Sequence, residues 1–517
     1  MARKPTLVST LGARALDTEA SEQWGLDPFA LVEAAGRACA GVFVGSGIYA
    51  ANPEFTVLAG GGNNAADALV MLRALVLSGH AEPGQCSVLV GRLPEGDRSP
   101  LSLATLALDR MGVRIMTWDQ GGAALAGSLA GRRAIVIDGI AGTGLEGPLR
   151  GTALRMAEAA NDLSRRPDGP TVVSMDIPSG GFDDWRAGMP IVSADCTLAI
   201  EPQKLCVYAP AIRPHAGTVL PVRGIFPNEL IAKHQAAELL TWESASAGIS
   251  PVPRTAHKYG RGLVEIRAGS PGMTGAARLA AQGSQAAGAG MVRLVVDPAV
   301  HAVIAPTCSG VMVVPESPDA IAGKPPPAAV LLGPGWGKGQ ERMRLLESYL
   351  PLEEKGLPLV LDADAIALAG DIVFHGNAIL TPHMGEFASC LGLSRDGIPA
   401  VDIIRTLRDF AREKRATVLL KSHVMYVASP DGRLGVIDGM NPVLAAGGSG
   451  DLLAGFCAAI AARSAGEFDG YACACAAAAL LMRAAGSEGI ADSFVDPGDL
   501  VRVAAAIAGA AWIRGGQ

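Results

Sequence analysis

The chain has 517 residues, of which 49% are hydrophobic and 18% are charged, and its net charge is −7. This length exceeds what one hydrophobic core supports, so we expect two or three domains. The mild acidity and the lack of a Lys/Arg cluster exclude a nucleic-acid groove, which needs a basic face. Nine cysteines without metal-ligand spacing give no sign of a disulfide framework. The longest apolar runs, such as Ala472 to Met482, are too short to cross a bilayer, so we expect a cytoplasmic protein without a membrane partner.

In the first half of the chain, short apolar runs alternate with stretches of helical periodicity. The runs include "FTVLAG", "CSVLVG", "AIVIDGI" and "TVVSM", and helical text such as "ALVMLRALVLSG" lies between them. Strands that are apolar on both faces and are spaced by helices are typical of a parallel sheet covered on both sides. The first half is therefore predicted to be an α/β domain.

A linker is predicted between Thr241 and Pro253, where Ser, Ala, Gly and Pro predominate and no apolar period is present. After it the alternation resumes with "GLVEIRAGS", "MVRLVVD", "AVLLGPG", "LPLVLDADA", "NAILTPH" and "TVLLKS". We therefore predict a first domain over residues 1–240, a linker over 241–253 and a second α/β domain over 254–517.

Glycine and polar residues follow the predicted strands in both halves. The motifs in chain order are "AGGGNNAAD", "DGIAGTGLEG", "DIPSGG", "GSPGMTGA", "GPGWG", "DADA", "TPHMGE" and "GGSGD". In open parallel sheets, ligands bind outside the carboxyl ends of the strands. Eight such loops predict a binding protein with one site in each half.

The stretch "AAGGSGDLLAGF", Ala445 to Phe456, places glycines and one acid directly before an apolar helix. Glycine N–H groups at a helix start hold anions through backbone donors and the helix dipole. Asp451 would repel a phosphate there, unless it acts as the base that takes a proton from a hydroxyl attacking phosphorus. On local grounds a helix cap and a catalytic base are equally good interpretations of Asp451.

The second half resembles the ADP-dependent NAD(P)H-hydrate dehydratases, a branch of the ribokinase-like fold. The resemblance rests on "HKYGRGLVEIRAGSPGMTGAARL", "GPGWG", "LVLDADAI", "ILTPHMGEF" and "NPVLAAGGSGDLLAG", in that order. It implies that Asp451 deprotonates the hydroxyl of the hydrated nicotinamide ring, that the oxyanion attacks the terminal phosphate of ADP, and that elimination restores the double bond. Gly448 and Gly450 would donate N–H groups to the migrating phosphoryl group.

Further residues of the second half receive roles from the same resemblance. Substrate contacts are implied for Ala276, Gly335, His383 and Glu386. Nucleotide contacts are implied for the segment Lys421, Ser422, His423, Val424 and Met425. Asp362 and Asp364 could hold the substrate or Mg²⁺, and capping of the next helix is the alternative interpretation. ADP is the expected phosphate donor, with ATP as the alternative.

The first half resembles the NAD(P)H-hydrate epimerases through "LVEAAGRACA", "GNNAADALV", "IDGIAGTGLEGPLRG", "DIPSG" and Lys204. A Rossmann-like sheet joined to a ribokinase-like α/β sandwich is thus the expected architecture. The resemblance makes Asp176 the acid/base of epimerisation, although closing the turn before Pro178 is the alternative. A potassium site is implied for Asn64, Asp138 and Ser179. Substrate contacts are implied for Asn63, Asn64, Asp67, Gly142, Thr143, Gly144 and Leu145.

Two loops depart from the family patterns. The usual Gly-Asn-Asn-Gly-Gly-Asp-Gly reads "GNNAADA", in which Ala65, Ala66 and Ala68 replace glycines. Alanine in left-handed backbone costs about 1–2 kcal/mol, so we expect epimerase activity to be reduced. The usual Lys-Gly-X-X-Thr reads "KSHVM", which keeps Lys421 and changes the rest of the expected nucleotide contact.

Two other functions remain compatible with these residues. A ribokinase-like small-molecule kinase would use Asp451 in the same way, and a non-catalytic nucleotide-binding scaffold would explain the altered loops. The epimerase-like first half favours repair of hydrated NADH and NADPH, and the family leads us to expect a homo-oligomer.

Overall fold

The computed structural model describes residues 5–48, 53–93, 98–122, 134–317, 324–394, 402–464 and 466–514. The chain divides into two compact units, Pro5–Ala237 and Glu238–Gln517. Each unit is α/β, as the alternation of apolar and helical segments predicts. The segment 241–253 contains a short helix, Trp242–Ser246, and its Ala245 is buried in the core of the second unit.

The first unit is built around a parallel sheet. Its described strands are β1 (Thr6–Val8), β2 (Glu54–Ala59), β3 (Cys86–Val90), β4 (Arg114–Thr117), β5 (Ala134–Gly139), β6 (Thr171–Met175), β7 (Cys196–Ile200), β8 (Gln203–Lys204) and β9 (Thr218–Val222). Its described helices are α1 (Thr10–Glu22), α2 (Pro28–Ser46), α3 (Asn63–Leu77), α4 (Pro100–Arg110), α5 (Gly151–Ser164) and α6 (Asn228–Lys233). Within these ranges, seven strands pair in the order β4-β3-β2-β5-β6-β7-β9, and β1 pairs with β8.

The strand order reverses between β2 and β5, which are neighbours in the sheet. From β2 the chain proceeds to β3 and β4 in one direction, and from β5 to β6 and β7 in the other. At such a switch point the loops leave on opposite faces, and a crevice opens at the carboxyl ends of the two strands. The loop after β2 begins the motif "GGGNNAAD", and the loop after β5 begins "IAGTG", so both motifs lie at this crevice.

Alternate residues of the strands pack on opposite faces of the sheet, which explains why the strands are apolar throughout. Val57 and Ile137 belong to a core cluster shared with α2 and α3, whereas Leu58 and Val136 belong to a cluster shared with α5. Both faces are therefore covered by helices, and the polar loops are confined to the strand ends.

Helix α2 has 19 residues and is long and apolar enough to cross a membrane, contrary to the expectation that no such run exists. Its Val32, Cys39 and Phe43 are buried against α3 in the core of the first unit. Its other face carries Glu33 and Arg37, which pair with each other. We therefore assign α2 to the core of the unit.

The second unit contains a larger sheet, with β10 (Ala237–Leu239) beginning at the last residue of the first unit. The remaining described strands are β11 (Leu263–Arg267), β12 (Met291–Val296), β13 (Met312–Pro315), β14 (Ala329–Leu332), β15 (Leu359–Leu361), β16 (Ala378–Leu380), β17 (Thr417–Leu420), β18 (Val424–Ala428) and β19 (Leu434–Asp438). Their order is β13-β12-β11-β14-β15-β16-β17-β18-β19-β10. The pairs from β13 to β17 are parallel, and β18 is antiparallel to both of its neighbours.

Helices cover this sheet as well. They are α7 (Trp242–Ser246), α8 (Thr274–Ala286), α9 (Pro298–Ile304), α10 (Gln340–Glu354), α11 (Asp364–Ala369), α12 (Met384–Cys390), α13 (Ile403–Lys414), α14 (Ser449–Arg463), α15 (Gly470–Ala485) and α16 (Pro497–Gly509). The strand order reverses between β11 and β14, so the second crevice is expected outside their carboxyl ends. The loops that follow these strands carry "GSPGMTG" and "GPGWG".

Helices α8 and α14 pack with their backbones almost in contact. A Cβ on Gly455 would lie 2.3 Å from the carbonyl oxygen of Ala280, and one on Gly283 would lie 2.6 Å from that of Leu452. The hydroxyl of Ser284 donates to the Gly455 carbonyl at 3.0 Å. This close contact fixes the start of α14, which carries Asp451, relative to the loop before α8.

The contact predicts that Gly455→Ala lowers the urea midpoint of unfolding. The added methyl group has no space, and overpacking of this kind costs about 1–3 kcal/mol. Gly509→Ala is the matched control, because nothing lies within 4 Å of a Cβ at the end of α16. Equal midpoints for Gly455→Ala and the unsubstituted chain would contradict the close packing.

Candidate functional site

The glycine-rich stretch before the second-unit helix forms the start of α14. Gly448 is the N-cap with φ 102°, and a Cβ there would lie 2.4 Å from Leu279 Cδ1. Glycine is thus required by backbone conformation and by space. Asp451 lies in the first turn and Gly448 occupies the cap position, so Asp451 is not the helix cap.

A buried ion pair lies beside this helix start. Lys421 Nζ donates to Asp362 Oδ1 at 2.6 Å, and Thr381 Oγ1 donates to the same oxygen at 2.7 Å. A Cβ on Gly450 would come within 3.3 Å of Lys421 Nζ, so the ammonium group lies against the first turn of α14. Burial opposes the charge of Lys421, but the neighbouring carboxylates, Asp362 foremost, outweigh it and raise the pKa of the lysine.

The carboxyl group of Asp451 has an unusual proton affinity. Burial first, and then the nearby Asp362 and Glu386 carboxylates, raise its pKa to about 6 against the opposing effect of the Lys421 ammonium. A base works best when its pKa lies close to the operating pH, because it is then ionised and still accepts a proton. A pKa of about 6 at the start of a helix is therefore compatible with the predicted role of Asp451 as a general base.

The motif "TPHMGE" folds into the start of α12. The His383 ring accepts from the N–H groups of Gly385 and Glu386, at 3.0 and 3.2 Å, and Glu386 Oε2 accepts from the N–H of His383 at 2.8 Å. His383 and Glu386 thus bond to each other's backbone in a capping box. Since Glu386 also acts electrostatically on Asp451, the motif lies near the proposed base.

The loops after β11 and β14 lie against each other. Ser270 Oγ donates to the Gly335 carbonyl at 2.9 Å, and a Cβ on Gly335 would lie 2.7 Å from Met273 Cβ and 3.2 Å from Ala276 Cβ. Gly335 also has φ 54°, which favours glycine. The structure thus brings the two predicted substrate positions, Ala276 and Gly335, together at the switch point of the sheet.

Neither acid of "DADA" caps the helix that follows. The N-cap of α11 is Ala363, with φ 46° and no side-chain bond to the helix. Asp364 Oδ2 accepts instead from the Gly337 N–H at 2.8 Å and so holds the "GPGWG" loop, while Asp362 pairs with Lys421. The left-handed backbone at Ala363 lets two successive acids serve different loops.

The predicted nucleotide segment is divided by the fold. Lys421 faces Asp362, and Ser422 and His423 form the turn before β18. Val424 and Met425 belong to β18, and their side chains are buried in the second unit. Buried side chains leave only the backbone atoms of these two residues to contact a nucleotide, and their place in the nucleotide site stays a prediction.

In the first unit, a cavity of about 630 Å³ opens at the switch point between β2 and β5. The sequence-predicted residues that line it are Asn63, Asn64, Asp67, Gly142, Thr143, Gly144, Leu145 and Asp176. Loops distant in sequence thus meet at one site, as the switch-point rule requires.

A second buried ion pair lies in this cavity. Lys204 Nζ donates to Asp176 Oδ1 at 2.6 Å and to the Ile200 carbonyl at 3.0 Å. Asp176 has φ 64°, a strained conformation for a residue with a Cβ, and its N–H donates to the Leu198 carbonyl. Burial raises the pKa of the Asp176 carboxyl, and the Lys204 ammonium opposes that rise.

The three expected potassium ligands meet around one backbone carbonyl. Asn64 Nδ2 and Ser179 Oγ both donate to the Ala141 carbonyl, at 3.1 and 2.9 Å. Asp138, which is fully buried, accepts from Ser174 Oγ at 2.7 Å and from the Ser179 N–H at 2.9 Å. The cluster therefore brings together one carboxylate, a hydroxyl oxygen and a backbone carbonyl oxygen, and Asn64 meets it through its amide nitrogen.

The expected strain in "GNNAADA" is absent. Ala65, Ala66 and Ala68 lie in α3, are fully buried in the core, and are not among the described residues with positive φ. The argument from left-handed backbone is wrong, because the asparagines already begin a right-handed helix. Asp67 lines the cavity, whereas the three alanines do not. The substitutions thus give no structural reason for reduced epimerase activity.

Helix α1 contributes a polar face to this cavity, which the sequence analysis did not predict. Arg14, Asp17, Thr18 and Ser21 line the cavity. Their spacing of three and four residues places them on one side of the helix, and this polar periodicity was the available signal. Arg14 also pairs with Glu146 of the "GTGLEG" loop.

Both units resemble known proteins. A family model described as NAD(P)H-hydrate dehydratase matches residues 264–502, and a model described as YjeF-related protein N-terminus matches residues 28–206. The bifunctional NAD(P)H-hydrate repair enzyme Nnr of Moorella thermoacetica is 30% identical over 489 residues, which cover 88% of each chain. The enzyme of the same name from Salinibacter ruber is 30% identical with the same coverage. The chain belongs to the family of bifunctional NAD(P)H-hydrate repair enzymes.

Part of the chain is similar to a solved structure, that of the ADP/ATP-dependent NAD(P)H-hydrate dehydratase of Bacillus subtilis co-crystallised with ATP/Mg²⁺. It is 23% identical, with a TM-score of 0.46, and covers 52% of this chain and 96% of its own. The two matched families divide as the units do: residues 28–206 lie in the first unit, and residues 264–502 in the second. Helix α1 precedes both matched ranges, which is a further reason why the sequence analysis did not predict Asp17 as a site residue.

We expect Lys204→Met to destabilise the first unit strongly. It leaves Asp176, which is 8% exposed, without its counter-ion, and breaking a buried pair in this way costs about 3–5 kcal/mol. Urea unfolding measures the loss, and Lys204→Met/Asp176→Leu should recover most of it. Lys233→Met is the control, because it removes an exposed lysine whose surface pair with Glu19 is worth about 0–1 kcal/mol. Equal losses at both lysines would contradict the burial of the Lys204–Asp176 pair.

We expect Asp451→Asn to stabilise the second unit in a pH-dependent way. The folded-state pKa of about 6 lies above the ordinary value of 3.8, so the folded chain holds this proton more tightly than the unfolded chain. The favourable contribution is complete below pH 3.8 and is lost as the pH rises through 6. Asparagine, which carries no charge, should therefore raise the melting temperature by about 2–6 °C at pH 8 and leave it unchanged near pH 4. A gain independent of pH, measured by calorimetry, would contradict the raised pKa.

Proposed function

We propose that the chain repairs hydrated NADH and NADPH in two steps. The first unit interconverts the R and S epimers of the hydrate, and the second unit dehydrates the S epimer at the expense of ADP. The observation that carries this proposal is the position of Asp451, a carboxyl with a pKa of about 6, at the start of a helix beside the Lys421–Asp362 pair. The names of the relatives that match nearly the whole chain support it.

In the second unit, Asp451 takes the proton of the ring hydroxyl, and the resulting oxyanion attacks the terminal phosphorus of ADP. The C–O bond of the phosphorylated ring then breaks with loss of the neighbouring proton, which releases phosphate and AMP and restores the double bond. Backbone N–H groups at Gly448 and Gly450, together with the Lys421 ammonium, stabilise the negative charge during transfer. Lys421 also holds Asp362 in place.

Magnesium fits this site as a companion of the nucleotide. Among the described residues, no group of three or more His, Cys, Asp or Glu side chains could hold a metal ion alone. Mg²⁺ is commonly bound by one or two carboxylates and substrate phosphates, and Asp362, whose Oδ1 already accepts from Lys421 and Thr381, would contribute its other oxygen. The ion would neutralise phosphate charge. ADP is the proposed donor, with ATP as the alternative.

In the first unit, the cavity takes the hydrated dinucleotide, and Asp176 with Lys204 exchanges protons at the hydroxyl-bearing carbon. The loop from Gly142 to Leu145 offers backbone N–H groups to the phosphates. Asn64, Asp138 and Ser179 would hold a potassium ion, because the Ser179 hydroxyl and the Ala141 carbonyl supply neutral oxygen atoms next to the Asp138 carboxylate, and Asn64 contacts the same carbonyl. The ion would fix the loops on both sides of the switch point.

The nine cysteines are free, and eight are buried, which suits a reducing compartment and supports a cytoplasmic location. A homo-oligomer is proposed from the family resemblance.

The test is incubation of the full chain with ADP, Mg²⁺ and the purified S epimer, with the absorbance of restored NADPH as the readout. We expect turnover that Asp451→Asn lowers by about 10²–10⁴-fold, the range for loss of a general base. Glu413→Gln is the matched control, an exposed acid on α13 outside the site. A kinase would instead release a stable phosphate ester without NADPH, and a scaffold would bind the hydrate without turnover. Either result contradicts the proposal.

A further inference from the structure

The cavity of the first unit contains three aspartates that differ in their access to a ligand. Asp176 is 8% exposed and is held by Lys204. Asp67 has one oxygen, Oδ1, that is buried and has no hydrogen-bond partner among the described residues, and burial raises its pKa well above the ordinary value. Asp17 is the exposed member, and its side chain opens into the cavity. Of the three, Asp17 is therefore the carboxyl that a bound ring can contact most freely.

Asp17 belongs to a different wall of the cavity from the buried ion pair. It lies in the middle of α1, whereas Asp176 follows β6 and Lys204 is the last residue of β8. Helix α1 is fixed at its start, because Ser9 caps it and the Thr10 N–H and hydroxyl both donate to Asp183 at 2.7 Å. The side chain of Asp17 is thus presented by a regular helix rather than by a loop.

The surroundings of Asp17 tune its proton affinity. Water reaches the carboxyl, but the walls of the cavity remove much of its hydration shell. This loss of hydration and the Asp176 carboxylate together raise its pKa to about 6, against the opposing effect of Lys204. The charged and titratable groups that line the same cavity are Arg14 on α1, Asp67 on α3, Asp176 after β6, Glu201 before β8 and Lys204 within β8. A carboxyl of this kind accepts and returns a proton near neutral pH.

The second unit provides an internal parallel. There, Asp451 stands beside the Lys421–Asp362 pair, and its pKa is also about 6. In the first unit, Asp17 and the Lys204–Asp176 pair line one cavity, which again combines a buried ion pair with a more accessible acid.

We propose that Asp17 is a catalytic residue of the first unit and works as the proton acceptor opposite the Lys204–Asp176 pair during inversion of the hydroxyl-bearing ring carbon. This inference rests on the proposed epimerase function. Inversion requires the hydroxyl group to leave from one face and water to add on the other, so one group must give a proton and another must take one.

The step balances within the cavity. The ring C–O bond breaks as the ring nitrogen lone pair forms a C=N⁺ bond, and the departing oxygen takes a proton from the Lys204–Asp176 pair and leaves as water. A water molecule then adds to the opposite face, its O–C bond forms as the C=N⁺ electrons return to nitrogen, and its proton passes to Asp17. Proton transfer through water in the cavity from Asp17 to the pair restores the starting state. No oxidant, reductant or phosphate donor is consumed.

The test compares Asp17→Asn with the unsubstituted full chain on the two purified epimers, in the presence of ADP, Mg²⁺ and K⁺. With the R epimer, we expect Asp17→Asn to slow NADPH recovery by about 10²-fold or more, because epimerisation then limits the rate. With the S epimer, the rate should be unchanged. Glu22→Gln, which removes an exposed acid from the same helix outside the cavity, is the control and should leave both rates unchanged.

Three measurements separate proton transfer from a positioning or folding role. For the unsubstituted chain, kcat/KM with the R epimer should rise as the pH passes about 6, and this inflection should be absent from the residual activity of Asp17→Asn. Asp17→Glu, which keeps the carboxyl, should restore part of the rate, while the affinity of Asp17→Asn for the R epimer without ADP should be preserved. An unaltered R-epimer rate or pH profile in Asp17→Asn, or weakened binding that accounts for the whole loss, would overturn the inference. Failure of the unsubstituted chain to convert even the S epimer would instead overturn the proposed function.

Discussion

The proposed chemistry of both units depends on one arrangement, a lysine–aspartate pair with a buried aspartate at the carboxyl edge of a parallel sheet. Lys204–Asp176 and Lys421–Asp362 each have an N–O distance of 2.6 Å. Burying either charge alone would be costly, so each group retains its position only because its partner is present. The pair in turn places a positive charge in the same site as a third carboxyl with a pKa of about 6, which is partly buried in the second unit and exposed in the first.

The topology of the sheets explains why such pairs form from residues far apart in sequence. At a switch point the loops of neighbouring parallel strands leave in opposite directions, and side chains from separate segments meet in the crevice. Asp176 follows one strand of the first sheet, and Lys204 arrives through the short pairing of β8 with β1. In the second unit, the contact between Gly283 on α8 and α14 brings the helix that carries Asp451 close to the strand ends.

The sequence predicts the architecture and much of the first site because both follow from local patterns. Apolar runs predict strands, and the polar loops after them predict the residues of the cavity at the switch point. Contacts between residues far apart in sequence were harder to predict. Asp17 was missed because its helix precedes the recognisable motifs. The alanines of "GNNAADA" were misjudged because a glycine in the family pattern need not have left-handed backbone. Val424 and Met425 were assigned to a ligand because the motif was aligned by position, whereas strand pairing buries their side chains.

A base for this chemistry has to meet opposing requirements, since it must be ionised at neutral pH and must also hold a proton after taking it. An exposed aspartate ionises readily but is a weak base, and an isolated buried one stays protonated. The partial burial of Asp451 beside its lysine–aspartate pair lies between these limits, because burial raises the proton affinity and Lys421 opposes the rise. Such a carboxylate lowers the stability of the folded state, because it would be better hydrated in the unfolded chain. Sites of this kind therefore need rigid support, which the tightly packed helices and glycine-bound loops of both units provide.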